Sequence, residues 1–331
     1  MKPILIWGAT GFMGQSLVAG FLAEGWPVTI LTRRDPGTLP FAKNPNLRVV
    51  SLPEDPATWD FLPNVIVESD VIYSLAGVSG AVASNLRPID SLDGNCRIHA
   101  AFLSYCAKAA NRPHVVFPSS RLVYGAPDSL PVAETAAVRP ASVYAAHKLC
   151  VEHYHQIAAS RGEITYTICR ISNPYGFYEG PPGQGYGFIS DLIQKGLKSQ
   201  PVTLFGEGEQ IRDYIHIDDL FQALKLCGAK NSAHNHIVNV GCGQGISIRQ
   251  AAGAIKEITG APIVHVPWPA DYLKVESGDY VADIRKARHV IGFEPKFRFE
   301  DGLQDLVSKH RQNELGHVAR GENFAQAIAP G

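Results

Sequence analysis

A chain of 331 residues, 45% of them hydrophobic, can bury a substantial core as one large domain or two modest ones. Its 30 basic and 31 acidic residues leave a net charge of −1, so nothing indicates nucleic acid or an anionic membrane as a partner. Apolar runs fall short of the roughly 20 residues of a membrane span, and glycines interrupt the first of them, so we expect neither a membrane segment nor a signal peptide.

The chain begins with a strand, a glycine turn and a helix. Residues 3–7 form an apolar run that predicts a buried parallel strand, and residues 15–24 have helical apolar spacing. The G-x-x-G-x-x-G spacing between them predicts a dinucleotide site, because glycines let the backbone approach the pyrophosphate at a helix N-terminus. The predicted cofactor-binding residues of this turn are Gly8, Thr10, Gly11, Phe12, Met13 and Gly14.

The second predicted strand, Val28–Leu31, ends at a position that distinguishes two cofactors. NAD enzymes usually place an acidic residue there for the ribose hydroxyls, whereas this chain has Thr32 followed by Arg33 and Arg34. A guanidinium can pair bidentately with a 2′-phosphate. The sequence therefore slightly favours NADP over NAD, with Arg33 as the first contact and Arg34 as the second. Two solvated loop arginines are the alternative interpretation.

Strands and helices alternate to about residue 173. This pattern predicts an α/β fold, a Rossmann-like doubly wound parallel sheet with helices on both faces. Two strands are expected to end near Leu75-Ala76-Gly77 and near Ser120, where the ligand crevice of such a sheet forms, so residues 75–77 join the predicted cofactor site. Long helices are expected over 92–110 and 143–160, and further strands at 115–117, 164–169 and 237–240.

The second half of the chain is smaller and more broken. Residues 174–190 are rich in Gly, Pro and Tyr, which is typical of a functional loop. A helix is expected from Ser247 to Thr259 and a short strand at 263–266. We expect a Rossmann domain at 1–173 plus roughly 213–260, and a substrate-binding α/β region at roughly 174–212 plus 261–331.

Tyr144 and Lys148 form a Tyr-x-x-x-Lys pair, which places both on one face of a helix. A free tyrosine has a pKa of about 10, and a nearby ammonium favours the phenolate. Ser120 can hold a substrate hydroxyl or ketone against the phenolic oxygen. The three residues therefore predict proton transfer at a carbinol oxygen, as hydride transfer requires. An ordinary surface helix is the alternative for the pair alone.

The cysteines and histidines do not predict a metal site. The six cysteines lack C-x-x-C or zinc-like spacing, which favours reduced thiols and a cytoplasmic location. The histidines form no H-E-x-x-H motif. His153 and His155 on the Tyr144 helix, and His234 and His236 further on, are expected at surface or interface positions.

Five motifs in order resemble those of the extended short-chain dehydrogenase/reductases, specifically the nucleotide-sugar epimerase/dehydratase branch. The resemblance runs from residue 4 to about residue 308. It is carried by Gly8-Ala-Thr-Gly-Phe-Met-Gly14, Ser119-Ser-Arg-Leu-Val-Tyr-Gly125, Tyr144-Ala-Ala-His-Lys148, Arg170-Ile-Ser-Asn-Pro-Tyr-Gly176 and the stretch from Leu204 to Asp219.

The resemblance implies roles for these residues. Ser120, Tyr144 and Lys148 match the catalytic triad, with Tyr144 and Lys148 also against the cofactor. Asn95 matches an asparagine that orders the site beside the cofactor. Asn173 and Arg212 match residues at the sugar diphosphate. The Asp218-Asp219 pair would cap a helix N-terminus rather than act as a general base. Relatives pair the helices at 92–110 and 143–160, which implies a homodimer.

Two positions depart from the branch pattern. Dehydratases usually carry Asp-Glu directly after the catalytic Ser or Thr, where this chain has Arg121-Leu122, so dehydration is set aside. Many relatives place a second diphosphate-binding arginine in an Arg-x-Gly-Asp pattern, where this chain has Glu276-Ser-Gly-Asp279. A carboxylate there would repel a diphosphate, and Lys274 is the predicted compensation.

The leading functional hypothesis is a nucleotide-sugar epimerase that acts at C4 through a transient 4-keto sugar, with room for the sugar to turn provided by the Gly-rich loop at 180–187. An NADPH-dependent 4-keto-sugar-nucleotide reductase uses the same residues and stays open, favoured by Arg33 and Arg34. A non-catalytic cofactor-binding protein is a third possibility, which the intact triad disfavours. The base and the sugar of the substrate are not predicted.

Overall fold

The computed structural model describes residues 2–34, 41–178 and 187–319, with no side-chain description for 314–319. The Gly-rich loop at 180–186 and the tail beyond 319 therefore lie outside the described residues. The strands are β1 (Ile4–Trp7), β2 (Val28–Thr32), β3 (Leu47–Ser51), β4 (Val71–Ser74), β5 (His114–Ser120), β6 (Thr165–Ile171), β7 (Asn173–Tyr175), β8 (Val202–Phe205), β9 (Ile211–His216), β10 (His236–Val240), β11 (Gly245–Ser247) and β12 (Ile263–Val266).

The helices connect these strands and cover both faces of the sheet. They are α1 (Phe12–Ala23), α2 (Leu62–Ile66), α3 (Ala81–Leu86), α4 (Pro88–Ser91), α5 (Ile98–Cys106), α6 (Val143–Ser160), α7 (Gly187–Leu197), α8 (Ile217–Ala229), α9 (Ile248–Thr259), α10 (Ala270–Leu273), α11 (Arg285–Ile291) and α12 (Phe299–Ala319). Among the described residues, no helix is long and apolar enough to cross a membrane.

Within the described residues, seven parallel strands form one sheet in the order β3-β2-β1-β4-β5-β6-β10. The strand order reverses direction beside β1, which places a crevice at the carboxyl ends of β1 and β4. One face of the sheet packs on α1, α8 and α11, and the other on α2, α5 and α6. The predicted doubly wound Rossmann-like fold is confirmed.

Two small sheets and a third apolar cluster lie beyond the main sheet. The sheets have the orders β11-β9-β7 and β12-β8. The cluster draws on α7, α9, β8 and α12, through residues such as Ile193, Ile255 and Leu306. Its position beside β7 and β9 separates it from the layers of the large sheet, although the predicted domain boundaries themselves stay predictions.

The predicted helix at 92–110 is present in part: the chain is helical from Leu92 to Cys106, but its first turns differ from an α-helix. The segment Leu92–Arg97 is a π-helical turn that follows α4, and α5 ends at Cys106. Within this turn the Asn95 amide donates to the Ser91 carbonyl at 3.0 Å, and Gly94 packs where a Cβ atom would lie 3.0 Å from the Val78 side chain. A wider turn of this kind is frequent at functional sites.

The predicted surface position of His155 was also wrong. His155 is fully buried and stacks on Phe117 with ring centroids 4.8 Å apart, and its Nδ1 atom pairs with the Val151 carbonyl at 2.8 Å. Burial lowers the pKa of His155 to about 4. The helical periodicity of α6 places this position toward the sheet, where Phe117 supplies an apolar floor.

We expect this histidine to make stability depend on pH. The pKa of His155 is lower in the folded state than the usual value near 6.5, so protons favour the unfolded chain as pH falls from about 6.5 to about 4. The shift corresponds to about 3 kcal/mol. Urea unfolding at pH 7 and pH 4 should therefore show a smaller loss of stability for His155→Phe than for the wild type. Equal losses would contradict the buried, neutral state of His155.

Candidate active site

The three predicted catalytic residues meet at the carboxyl edge of the sheet. Ser120 is the last residue of β5, Tyr144 lies in the first turn of α6, and Lys148 follows one turn later. Ser120 and Tyr144 both line a cleft of about 570 Å³. The structure therefore brings Ser120 and Tyr144, which are 24 residues apart in the sequence, to one cleft.

The N-terminus of α6 is held from two directions. Ser142 caps it, its Oγ atom accepting from the Ala145 N–H at 3.2 Å. From α3, the Asn85 side chain accepts from the Val143 N–H and the Ser84 hydroxyl accepts from the Tyr144 N–H, both at 2.9 Å. Since these bonds satisfy donors that a helix leaves unpaired, they fix the backbone that carries Tyr144.

Lys148 is a buried ammonium placed between β5 and Tyr144. Its Nζ atom donates to the Pro118 carbonyl at 2.9 Å and lies 5.9 Å from the centroid of the Tyr144 ring. Burial lowers the pKa of Lys148 to about 8, and Glu152 one turn further along α6 acts in the opposite direction. The side chain is therefore mainly charged at neutral pH, as stabilisation of a phenolate requires.

A buried ionic network of Glu152, Arg170 and Ser119 lies next to Lys148 along α6 and β5. Glu152 receives two bonds from the Arg170 guanidinium, from Nε at 3.1 Å and from Nη2 at 2.7 Å, and a short bond from the Ser119 hydroxyl. Glu152 and Arg170 are both buried. We did not predict this pair from the sequence. The available signal was a carboxylate four residues after Lys148 on the same helix face.

The predicted cofactor segment 75–77 follows β4 and is fixed by two side chains. The Asn95 amide brackets Val78, donating to its carbonyl at 3.1 Å and accepting from its N–H at 3.3 Å. His99, missed by the sequence analysis, contacts the Ala76 carbonyl through Nε2 at 2.9 Å. Asn95 thus fixes the backbone of Val78, directly after the predicted cofactor segment.

The glycines of the turn after β1 differ in the space around them: two have no room for a side chain, and Gly11 does. A Cβ atom on Gly8 would lie 2.5 Å from the Ala76 nitrogen, and one on Gly14 would lie 2.1 Å from the Gly8 carbonyl oxygen. A Cβ atom on Gly11 would meet only the Gly8 oxygen, at 3.7 Å. The turn and Thr10 thus leave an open approach at the N-terminus of α1, which suits a pyrophosphate. Phe12 is buried in the core and Met13 packs against it.

Arg121, Arg212 and Asn173 also line the cleft. Arg212 donates to Glu276 Oε1 at 2.5 Å, and Arg121 donates to the Asn173 side chain at 3.1 Å. Asn173 in turn donates to the Asp213 carbonyl at 2.9 Å. Both guanidinium groups line the cleft. Asn173 and Arg212 thus line the same cleft as Ser120 and Tyr144. Their contacts with a substrate stay predictions.

Lys274 does not reach this cleft. Its side chain is 72% exposed and its Nζ atom pairs with Asp271 at 3.0 Å. The residues that line the cleft do not include it. The predicted compensation by Lys274 for the glutamate at 276 therefore has no support in the arrangement of the side chains.

A family comparison agrees with this arrangement. The model of the NAD dependent epimerase/dehydratase family matches residues 4–241. The protein belongs to this family. Similar curated proteins include a putative UDP-glucose 4-epimerase of Methanocaldococcus jannaschii, 27% identical over 94% of this chain and 99% of that protein, and the UDP-glucose 4-epimerase of Azospirillum brasilense, 27% identical over 99% and 95%.

Solved structures of similar proteins give the same picture. MoeE5 in complex with UDP-glucuronic acid and NAD has a TM-score of 0.82 at 28% identity, over 94% of this chain and 99% of that one. The UDP-glucose 4-epimerase of Thermotoga maritima with UDP-glucose has a TM-score of 0.84 at 26% identity, over the same shares. The predicted resemblance to the epimerase/dehydratase branch is confirmed.

In this epimerase/dehydratase family member, the end of β2 carries exposed cations. Arg33 and Arg34 are both exposed, and the Thr32 hydroxyl accepts from the Arg34 N–H at 3.0 Å. Neither arginine has a hydrogen bond or ion pair from its side chain among the described residues. Their guanidinium groups are thus available at the end of a strand that borders the glycine turn.

The aspartates at the start of α8 have roles other than the predicted capping. His216 is the N-cap, its Nδ1 atom accepting from the Asp218 N–H at 3.3 Å. Asp219 instead accepts from the N–H groups of Lys296 and Phe297 at 3.0 and 2.9 Å. Asp218 and Asp305 both pair with Lys309. The pair therefore anchors the start of α12 to α8 and lies outside the cleft.

We expect Gly11→Ala to separate folding from cofactor binding. A Cβ atom at this position has room in the protein, so the loss of stability should stay below about 1 kcal/mol, mostly from the poorer N-cap. Cofactor affinity should fall at least about tenfold, equivalent to about 1.4 kcal/mol. Fluorescence titration with NADH and NADPH, with Gly253→Ala as control, measures this. Unchanged affinity would place the pyrophosphate elsewhere.

Proposed function

We propose that the protein is an NAD(P)-dependent nucleotide-sugar epimerase that acts at C4 through a transient 4-keto sugar. The observation that carries the proposal is a cleft lined by Ser120 and Tyr144 together with Asn173 and Arg212, with the Lys148 ammonium 5.9 Å from the Tyr144 ring. The cleft thus combines residues suited to acid–base chemistry with residues suited to anion binding, as a sugar joined to a diphosphate requires. The UDP-sugar epimerases among similar proteins support this choice of substrate class.

The glycine turn at residues 8–14 and the segment 75–77 are the proposed holders of the cofactor. The fit rests on the open approach in front of Gly11, on the N–H groups at the start of α1, and on a segment that Asn95 and His99 hold in place. When bound, a nicotinamide dinucleotide supplies a reversible hydride acceptor for the carbon that bears the hydroxyl group.

The residues of the chain then handle the proton and the oxygen. Tyr144 as phenolate takes the proton of the C4 hydroxyl and later returns it. Ser120 holds the C4 oxygen in both its hydroxyl and ketone states. Lys148 stabilises the phenolate by its charge, with its own position fixed by the Pro118 carbonyl. The residues of the cleft thus contribute to the rate by positioning the substrate and by general acid–base catalysis.

The position of Arg121 supports epimerisation over dehydration. Loss of water needs an acid and a base near the ketone, and the two residues after Ser120 are Arg121 and Leu122. Arg121 lies in the cleft wall with its guanidinium bonded to Asn173 and Ser277. A guanidinium stays protonated in proteins, so it cannot serve as the base.

We favour NADP(H) as the cofactor, with NAD(H) as the alternative that MoeE5 binds. The support is the absence of a carboxylate at Thr32 and the exposed guanidinium groups of Arg33 and Arg34. The same arginines keep an NADPH-dependent 4-keto-sugar reductase as the second candidate function, in which hydride moves one way and the cofactor exchanges with solution.

We propose a homodimer, with the helices around 92–110 and 143–160 at its interface. Several of the apolar residues of these helices, including Phe102, Leu103 and Val151, are buried in the subunit core and do not contribute. The support comes from Leu92 and Ile157, which are 41% and 55% exposed. Light scattering at micromolar concentration is expected to give twice the subunit mass, and a monomer would remove the proposal.

The deciding experiment uses the purified protein with no added cofactor. The protein is denatured, released nucleotides are assayed as NAD(H) or NADP(H), and a second sample is incubated with UDP-glucose and with UDP-glucuronic acid. Near-stoichiometric retained cofactor with conversion to the C4 epimer is expected. Protein that is isolated empty and binds NADPH far better than NADH would favour the reductase. Cofactor binding without turnover of any sugar nucleotide would favour a non-catalytic protein.

A further inference from the structure

Two guanidinium groups hold the segment that the family uses for a diphosphate-binding arginine. Arg212 donates to the Glu276 carboxylate at 2.5 Å and to the Gly278 carbonyl at 2.8 Å. Arg121 donates to the Ser277 hydroxyl between them at 2.9 Å. The two arginines therefore bond to three consecutive residues, 276–278, and both line the cleft.

Arg121 is a buried cation with neutral partners. It is 7% exposed, and its described contacts are the Asn173 side chain, the Ser277 hydroxyl and the ring of Tyr280, whose centroid is 5.4 Å from its central carbon. Of its five N–H groups, the described residues accept from Nε and from Nη1. The remaining N–H groups belong to a side chain that lines the cleft.

The charges of this wall do not cancel. Among the described side chains that Arg121 and Arg212 contact, the one carboxylate is Glu276, so two positive charges face one negative charge. Burial and then the nearby Arg212 lower the pKa of Arg121 to about 10, so it is charged at pH 7. A buried charge without a counter-ion is costly, and an anionic ligand is the natural partner for such a group.

We propose that Arg121 takes the place of the arginine absent at position 276 and, together with Arg212, binds the diphosphate of the sugar nucleotide. This inference rests on the proposed function. A planar guanidinium beside Asn173 and Arg212 can bond phosphate oxygens bidentately. The position directly after Ser120 thus acquires a substrate-binding role, while Glu276 holds Arg212 in place.

Calorimetric titration of the cofactor-loaded protein tests the proposal with UDP, UDP-glucose and UDP-glucuronic acid. Arg121→Gln should weaken all three to the same extent, about 10- to 100-fold, because a charge-assisted hydrogen bond to the shared diphosphate is lost. Lys274→Gln and Arg48→Gln remove exposed cations that pair with Asp271 and Glu68, and both should leave affinity unchanged.

A charge relocation provides the positive test. Arg121→Gln combined with Glu276→Arg restores an arginine at the position that relatives use, and should recover at least tenfold of the lost affinity for UDP. Arg121→Lys keeps the charge but loses the planar fork, so it should lie between the wild type and Arg121→Gln, and it serves if the glutamine variant does not fold.

Other results overturn the inference in distinguishable ways. If Arg121→Gln or Arg121→Lys binds UDP as tightly as the wild type, Arg121 is not a diphosphate ligand. If only UDP-glucuronic acid is weakened, the guanidinium contacts the sugar carboxylate instead. If Lys274→Gln is the weakened variant, the compensation lies there. If the wild type binds none of the three nucleotides, the proposed function fails as well.

Discussion

Tyr144→Phe is expected to lower kcat for sugar-nucleotide epimerisation by about 10²–10⁴-fold, the range that general acid–base catalysis contributes. The phenol oxygen is the group proposed to take the C4 proton, and phenylalanine removes that oxygen alone. The ring keeps its place at the start of α6, where the backbone is bonded to Ser84 and Asn85. The loss should therefore appear in kcat, with cofactor binding and melting temperature close to the wild type.

Tyr154→Phe is the matched control for this prediction. Tyr154 lies on the same helix and packs at the edge of the core beneath the sheet, away from the cleft. Its hydroxyl group does not line the cleft, so its loss should leave kcat within about twofold. If Tyr144→Phe retained full activity on every sugar nucleotide tested, the enzymatic assignment of this cleft would be wrong.

Glu152→Ala is expected to cost about 3–5 kcal/mol of folding free energy, because it leaves the Arg170 guanidinium buried without its carboxylate. This is a large part of the roughly 5–15 kcal/mol that stabilises a typical domain. The melting temperature should fall by roughly 4–7 °C, because the entropy of unfolding of a 331-residue chain is large. Differential scanning calorimetry of both proteins at pH 7 gives the comparison.

The combined variant Glu152→Met with Arg170→Met controls for the cause. Apolar replacement of a whole buried ion pair is often neutral or stabilising, so most of the lost stability should return. A double variant as unstable as Glu152→Ala would indicate that packing around Glu152, including the bond from Ser119, matters more than the charge on Arg170.

Elements with a strong local signal were predictable from the sequence. The strand–glycine–helix start, the helix of Tyr144 and the helix from Ser247 to Thr259 all occur where the patterns placed them. The last has a full capping box between Ser247 and Gln250, which is a sequence-local device. The segment at 92–106 is helical as predicted, but its π-helical start was not predicted, because apolar periodicity does not report the contacts of Asn95 and Gly94 with Val78.

The site was predictable only where residues carry their role in a motif. Ser120, Tyr144, Asn173 and Arg212 come from separate motifs and line one cleft, with Lys148 one turn after Tyr144 on α6. Their individual roles stay predictions. The sequence showed Arg121 only as a departure from the Asp-Glu pattern of dehydratases. Its contact with Ser277 could not be predicted, because the two residues are 156 positions apart. His155 was misassigned although the periodicity of α6 places it on the buried face of the helix, where it stacks on the Phe117 ring.

The hydrogen bonds between α3 and the start of α6 join the segment after β4 to the helix that carries Tyr144. The N–H groups of Val143 and Tyr144 donate to side chains that follow Gly80, on the same stretch that leaves the carboxyl end of β4. Amide hydrogen exchange at these two positions requires α3 to move away, so their protection reports the opening of the segment between β4 and α6. The exchange rates of these two amides thus measure how often α3 separates from α6 beside the crevice.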